Sequence, residues 1–128
     1  MRLLSLAALL AVTTTAACAQ DPVGVDWRLV SVDGVAVDYP ATLRIAADGG
    51  LSGQAPCNSW SSLNGAALPE LDVQGIRATR MACDRLGEEA AFFAALEAMT
   101  RAEVSEDGRL VLTGPEGRSL EFGSVGAE

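Results

Sequence analysis

The sequence predicts an α+β domain: a curved antiparallel β-sheet, open and barrel-like, packed against one α-helix. Three observations carry this. Short segments alternate apolar and polar residues with the period of a strand, as in Ala41-Thr42-Leu43-Arg44-Ile45-Ala46. Turn-forming pairs, Asp33-Gly34 and Asn64-Gly65 among them, separate these segments. A single alanine- and phenylalanine-rich stretch carries the helical period, with strands before it and two more after it.

In chain order, Arg2 and the apolar run Leu3 to Val12, followed by small residues through Ala19, have the layout of a secretory signal peptide. The run is too short to span a bilayer. The expected organisation is a signal over residues 1–18, a tether over 19–24, the domain over 25–123 and a tail over 124–128. Two processing readings stand side by side. Ala17-Cys18-Ala19 fits a small-x-small cleavage site that releases a soluble chain beginning at Gln20. Thr15-Ala16-Ala17-Cys18 fits a lipobox that makes Cys18 the lipidated first residue, with Thr15 where a leucine-like residue is usual. The protein is expected in the periplasm, either free or held at the outer membrane through Cys18.

Val25 to Val32 reads as the first strand, with Trp27 and Leu29 on one face, and Asp33-Gly34 returns the chain through Val35-Ala36-Val37. Leu43 and Ile45 point inward from the next strand. Asp48-Gly49-Gly50 then turns the chain into Leu51-Ser52-Gly53-Gln54, where Gly53 marks a bulge or a close backbone approach. Ser59 to Ser62 continues the strand to a tight turn at Asn64-Gly65, and Leu68, Leu71, Val73 and Ile76 fit a further short strand. The helix is expected from Gly87, with Glu88 and Glu89 in its first turn and Arg101 near its end, a polarity that suits the helix dipole. Phe92, Phe93, Leu96 and Met99 form its core stripe. A hairpin around Gly114-Pro115-Glu116-Gly117 closes the chain, with Leu110, Leu112, Leu120 and Phe122 inward.

Composition narrows the chemistry. The formal net charge is −8, which disfavours nucleic acid and anionic lipid surfaces. There is no histidine and no lysine, so the usual general base, the commonest metal ligand and Schiff-base chemistry are absent. No cofactor, metal or catalytic residue is expected. Cys57 and Cys83 are an even pair in an exported domain, read as a structural disulfide worth roughly 3.5 kcal/mol by loop entropy. A thiol-redox pair would sit closer in sequence, and a zinc site would need further ligands. Asn58 is expected to bond its own backbone and fix a turn beside the disulfide, and Trp60 to pack on the helix. No convergent polar set accompanies them in the sequence.

Taken together, Trp27-Arg28-Leu29 with Asp33-Gly34, then Gly53 and Cys57-Asn58-Ser59-Trp60, then Thr79-Arg80-Met81-Ala82-Cys83, then Phe92-Phe93 with Leu96, then the closing hairpin resemble the META domain of small exported bacterial proteins such as the heat-shock protein HslJ. The resemblance marks Trp27, Gly53, Cys57, Asn58, Trp60, Thr79 and Cys83 as family-motif positions. It implies a link to heat shock, novobiocin resistance and envelope integrity, and no catalytic residue. The META fold is also similar to that of pilotin lipoproteins. By that analogy, the space between helix and sheet could accept a peptide or acyl chain. Here Pro56 precedes Cys57, where the family commonly has glycine.

The expected function is therefore that of a non-enzymatic, monomeric envelope protein binding a protein or lipid-like partner under stress. The alternatives are an enzyme built on Asp72, Asp84 or the cysteine pair, and an inhibitor of an exported protease.

Overall fold

The computed structural model describes residues 8–11 and 21–125. Cys18, both readings of its processing and the first part of the tether lie outside the described residues, as do residues 126–128 of the tail.

The elements run β1 (Asp26–Val32), β2 (Val35–Ala36), β3 (Thr42–Ile45), β4 (Gly50–Gln54), β5 (Ser59–Leu63), β6 (Arg77–Ala78), α1 (Leu86–Ala98), β7 (Arg101–Val104), β8 (Leu110–Thr113) and β9 (Ser119–Ser124). Neighbouring strands pair antiparallel in the order β6-β5-β4-β3-β1-β9-β8-β7, with β2 clipped onto β1. This is the expected curved sheet on one helix, and it does not close. Strand β1 is its centre, because Trp27 pairs with Leu43 on one side and Ser124 on the other. Asp33 and Gly34 both take positive φ, 50° and 81°, the geometry of a tight two-residue hairpin whose twist matches its strands.

Alternation decides which side chains enter the core. Leu43 and Ile45 of β3, Leu51 of β4, Trp60 of β5, Leu110 and Leu112 of β8, and Leu120 and Phe122 of β9 are all buried on one face. The helix sets Phe92, Ala95 and Leu96 against them, and Met99 follows just beyond its end. Phe92, Phe122, Ile45, Leu96, Met99, Leu110, Leu112 and Leu120 are each under 2 % exposed. These side chains pack the space between helix and sheet.

Four expectations are corrected. The segment containing Leu68, Leu71, Val73 and Ile76 forms no strand. It is a loop tied at its base by Asn64, whose Oδ1 accepts from the amides of Ala66 and Asp72 at 3.0 and 2.8 Å. Asn64-Gly65 thus opens a longer clasped loop in place of a tight turn. Arg101 does not end the helix. The helix stops at Ala98, with Met99 in an extended conformation, and Arg101 begins β7. Three strands therefore follow the helix, where two were expected.

The loop has a consequence for the sheet edges. Leu71 donates to Thr100 and Ala102 donates to Pro69, at 2.9 and 2.8 Å, so the loop covers the outer edge of β7. Strand β6, at the other end, pairs with β5 alone among the described residues.

Candidate functional site

The hairpin from β4 to β5 carries the glycine, the cysteine-asparagine pair and the tryptophan that stand out in the sequence. Gly53 pairs with Trp60, and the hairpin closes where Ala55 donates to the Asn58 carbonyl at 2.7 Å. A Cβ on Gly53 would lie 2.0 Å from the Thr42 carbonyl oxygen, so only glycine lets β4 approach β3 this closely. The same carbonyl accepts the Trp60 indole N–H at 3.2 Å. The Trp60 ring meets Phe92 and Phe93 edge-on, with centroids 6.2 and 6.4 Å apart, as expected of a core aromatic facing the helix.

The expected disulfide is present. Cys57 and Cys83 are joined with their Cα atoms 5.9 Å apart, which brings the Thr79–Cys83 segment against the β4–β5 hairpin. Beside it, Asn58 does something other than expected. Its side chain is buried and bonds no neighbour of its own; the positive-φ non-glycine residues described are Asp33 and Glu116. Its Oδ1 accepts from the Met81 amide at 2.6 Å and from the Thr79 hydroxyl at 2.9 Å. Its Nδ2 donates to Glu89 Oε2 at 2.7 Å and, more weakly, to the Met81 carbonyl at 3.4 Å. The turn is already closed by backbone, which frees the amide to hold two distant segments together.

Glu89 is the member that sequence reasoning missed. Read as a dipole partner in the first helical turn, it is in fact buried. Its Oε1 accepts from the amides of Cys57 and Asn58, at 3.0 and 2.7 Å, and its Oε2 from the Asn58 side chain. A signal was available: Glu89 precedes Phe92, Phe93 and Leu96 by three, four and seven residues, which places it on the apolar stripe. So a convergent polar set does exist, made of Asn58, Thr79, Glu89 and backbone. Every buried polar side-chain atom described has a partner. With three donors on its carboxylate, Glu89 is placed to hold the hairpin, not to take a proton from a substrate.

Of the other sequence candidates, Trp27 lies three strands away from Trp60, buried, with its indole on the Pro22 carbonyl at 3.0 Å. It anchors the core and stands apart from the cluster. Asp72 is exposed and accepts from Gln74, and Asp84 is exposed on the segment before the helix, so the two acids do not converge. Among the described residues no group of three acidic or cysteine side chains gathers as a metal site would. Outside the cluster, Asp33 is held below the usual carboxylate range, first by the Ser119 amide and then by Arg118. Burial, and then the charges of Glu88 and Asp38, raise the phenol of Tyr39.

Above the Asn58–Glu89 cluster lies a surface hollow of about 460 Å³, walled by Ile76, Ala78, Met81, Leu86 and Phe93, with Arg80 at its rim. Met81 and Leu86 are 65 % and 45 % exposed, high for large apolar side chains. The whole segment Arg77 to Asp84 is exposed, yet it is pinned from beneath by the asparagine and by the disulfide.

Comparison with known proteins agrees with the architecture. An NMR structure of a protein from Burkholderia xenovorans superposes with a TM-score of 0.64 at 24 % identity, covering 90 % of this chain and 97 % of that one. A second NMR structure reaches 0.58 at 22 % identity, covering 77 % of this chain and 87 % of the other. At these identities the likeness is one of fold. No curated protein matches the chain. The META domain family model matches residues 20–126, a span that holds the sheet, the helix and the disulfide-pinned cluster, and the chain belongs to the META domain family.

Proposed function

We propose that this META-domain chain is a non-enzymatic module of the cell envelope that holds a protein partner on a rigid surface strip and so supports envelope integrity under stress. Export, by the signal peptide, puts it in the periplasm, free or anchored through Cys18. One observation carries the binding reading. The molecule's buried polar network fixes an exposed, partly apolar strip, Thr79 to Cys83, to the helix and hairpin. Polar groups buried at this density of hydrogen bonding hold a surface in one shape, which lowers the entropic cost of docking a partner. The filled interior favours a protein partner over an acyl chain swallowed by the fold.

The test is complementation. Deleting the gene is expected to raise uptake of a large apolar dye, and the intact chain to restore the barrier. Met81→Asp, which changes only an exposed side chain that makes none of the network's hydrogen bonds, is expected to fold with unchanged Tm and fail to restore it. Full restoration by that variant, or turnover of a disulfide substrate by the purified protein, would overturn the reading. Mass spectrometry of the exported protein, by finding an acylated Cys18 or a chain starting at Gln20, decides between anchored and free forms.

A further inference from the structure

The free edge of β6 combines three features that belong together. First, its outward backbone is unpaired among the described residues. Thr79 donates inward to Ser59, and Arg77 pairs with Ser61, so by the alternation of an antiparallel ladder Ala78 and Arg80 direct their amides and carbonyls away from the sheet. Second, the strand and the residues that continue it are marked by cations without carboxylates. Arg44, Arg85, Arg101, Arg109 and Arg118 each take an acidic partner, whereas Arg28, Arg77 and Arg80 take none among the described residues, and of these three Arg77 and Arg80 lie together at this edge. On a chain of net charge −8, that makes this edge a local positive site. Third, Ala78 and Arg80 border the hollow walled by Ile76, Met81, Leu86 and Phe93.

We propose that β6 receives an extended, acidic and apolar segment of a partner protein as an added strand. This rests on the binding-module reading and names its site and ligand class. Backbone pairing along Ala78 and Arg80 supplies the register. Alternate side chains of the incoming strand then fall on two faces. On the inner face an apolar side chain enters the hollow over Phe93, next to a carboxylate on Arg80. On the outer face a second carboxylate meets Arg77, which lies with Arg44 along the groove over β4 and β5. A second copy of this chain is a poor occupant, since pairing two β6 edges brings four arginines together. Charged residues on a short edge strand are a common guard against such self-pairing, and the same guard selects an acidic strand. At the opposite end of the sheet the loop from Asn64 to Val73 already occupies the β7 edge, whereas β6 pairs with β5 alone among the described residues.

The test uses the isotope-labelled exported protein, disulfide intact, titrated with three end-blocked peptides. One has the repeat Val-Glu-Glu-Glu, which puts valine and glutamate in turn on one face and glutamate on the other; the second replaces glutamate with arginine; the third keeps the acidic sequence but N-methylates alternate amides so that it cannot pair as a strand. The acidic peptide is expected to shift the amides of Ala78, Arg80 and Met81 and to slow exchange at Ala78 and Arg80. The basic and N-methylated peptides are expected to leave them unchanged. Arg77→Glu with Arg80→Glu is expected to weaken binding by at least about tenfold, and about 0.5 M salt to weaken it in the same direction. Unchanged Tm in that double variant shows that the loss is not one of folding. Three results would overturn the proposal: equal binding by the double variant, shifts centred on β4 and β5, or protection of the Ala78 and Arg80 amides by self-association without peptide. Binding elsewhere overturns the β6 site while leaving the module reading intact; loss of the barrier phenotype for Met81→Asp is read separately, in cells.

Discussion

At the scale of single residues, Glu89 is the side chain on which most of the cluster depends. It satisfies the amides of Cys57 and Asn58 and the Asn58 side chain, and a buried donor left without its acceptor is costly. Glu89→Ala strands all three, and is expected to lower unfolding stability by about 3 kcal/mol. The drop in Tm should be on the order of 10 °C, read by thermal and denaturant unfolding. Glu89→Gln should also lose stability, because its amide places a donor against the Asn58 donor. Retention of wild-type stability by both would mean that the carboxylate is dispensable. Gly53 shows the complementary lesson. A glycine inside a strand was legible as a close approach, and the approaching group is the Thr42 carbonyl. Which carbonyl it would be was not legible, since it belongs to another strand.

Among the elements, the hairpin joining β1 to β2 also reaches β9. Asp33 Oδ1 accepts from the Ser119 amide at 3.0 Å and its Oδ2 from Arg118 at 3.2 Å, and these contacts favour its ionised form. Its folded pKa therefore lies below the ordinary 3.8, so its contribution is present above that value and is lost as pH falls through the lowered one. Asp33→Asn keeps a residue type that tolerates the positive φ of this turn. The stability advantage of the wild-type chain over this variant is expected to be constant near neutrality and to shrink below the ordinary carboxylate pKa. Denaturant unfolding at a series of acidic pH values checks it, and an advantage that grows on acidification would sink the assignment. The helix and the closing hairpin were readable because many consecutive positions repeat one period. Strand β7 was not: Ala102 and Val104 are its only apolar residues, and its pairing is set by β8 and the Asn64 loop.

For the whole molecule, the disulfide and the asparagine clamp fasten one end of the sheet to the start of the helix. Reduction of Cys57–Cys83 removes a long-loop constraint and is expected to cost roughly 3.5 kcal/mol. Because Met81 and Thr79 stay bonded to Asn58, the reduced protein should remain folded at moderate temperature. Faster amide exchange should then be confined first to residues 79–83. Unfolding midpoints with and without reductant, together with exchange rates, test this; uniform loosening across β7, β8 and β9 would count against a local tether. The order of residues along the chain was enough for the fold class, for the inward face of nearly every strand, for the helix stripe and for the cysteine pairing. Each of these depends on a local period or on residue type. It was silent on Glu89 meeting Asn58, on the filled space beneath the helix, and on β6 pairing with β5 alone among the described residues while β7 is covered. Those depend on contacts between segments far apart in sequence, and a local period carries no record of which distant segment arrives to complete them.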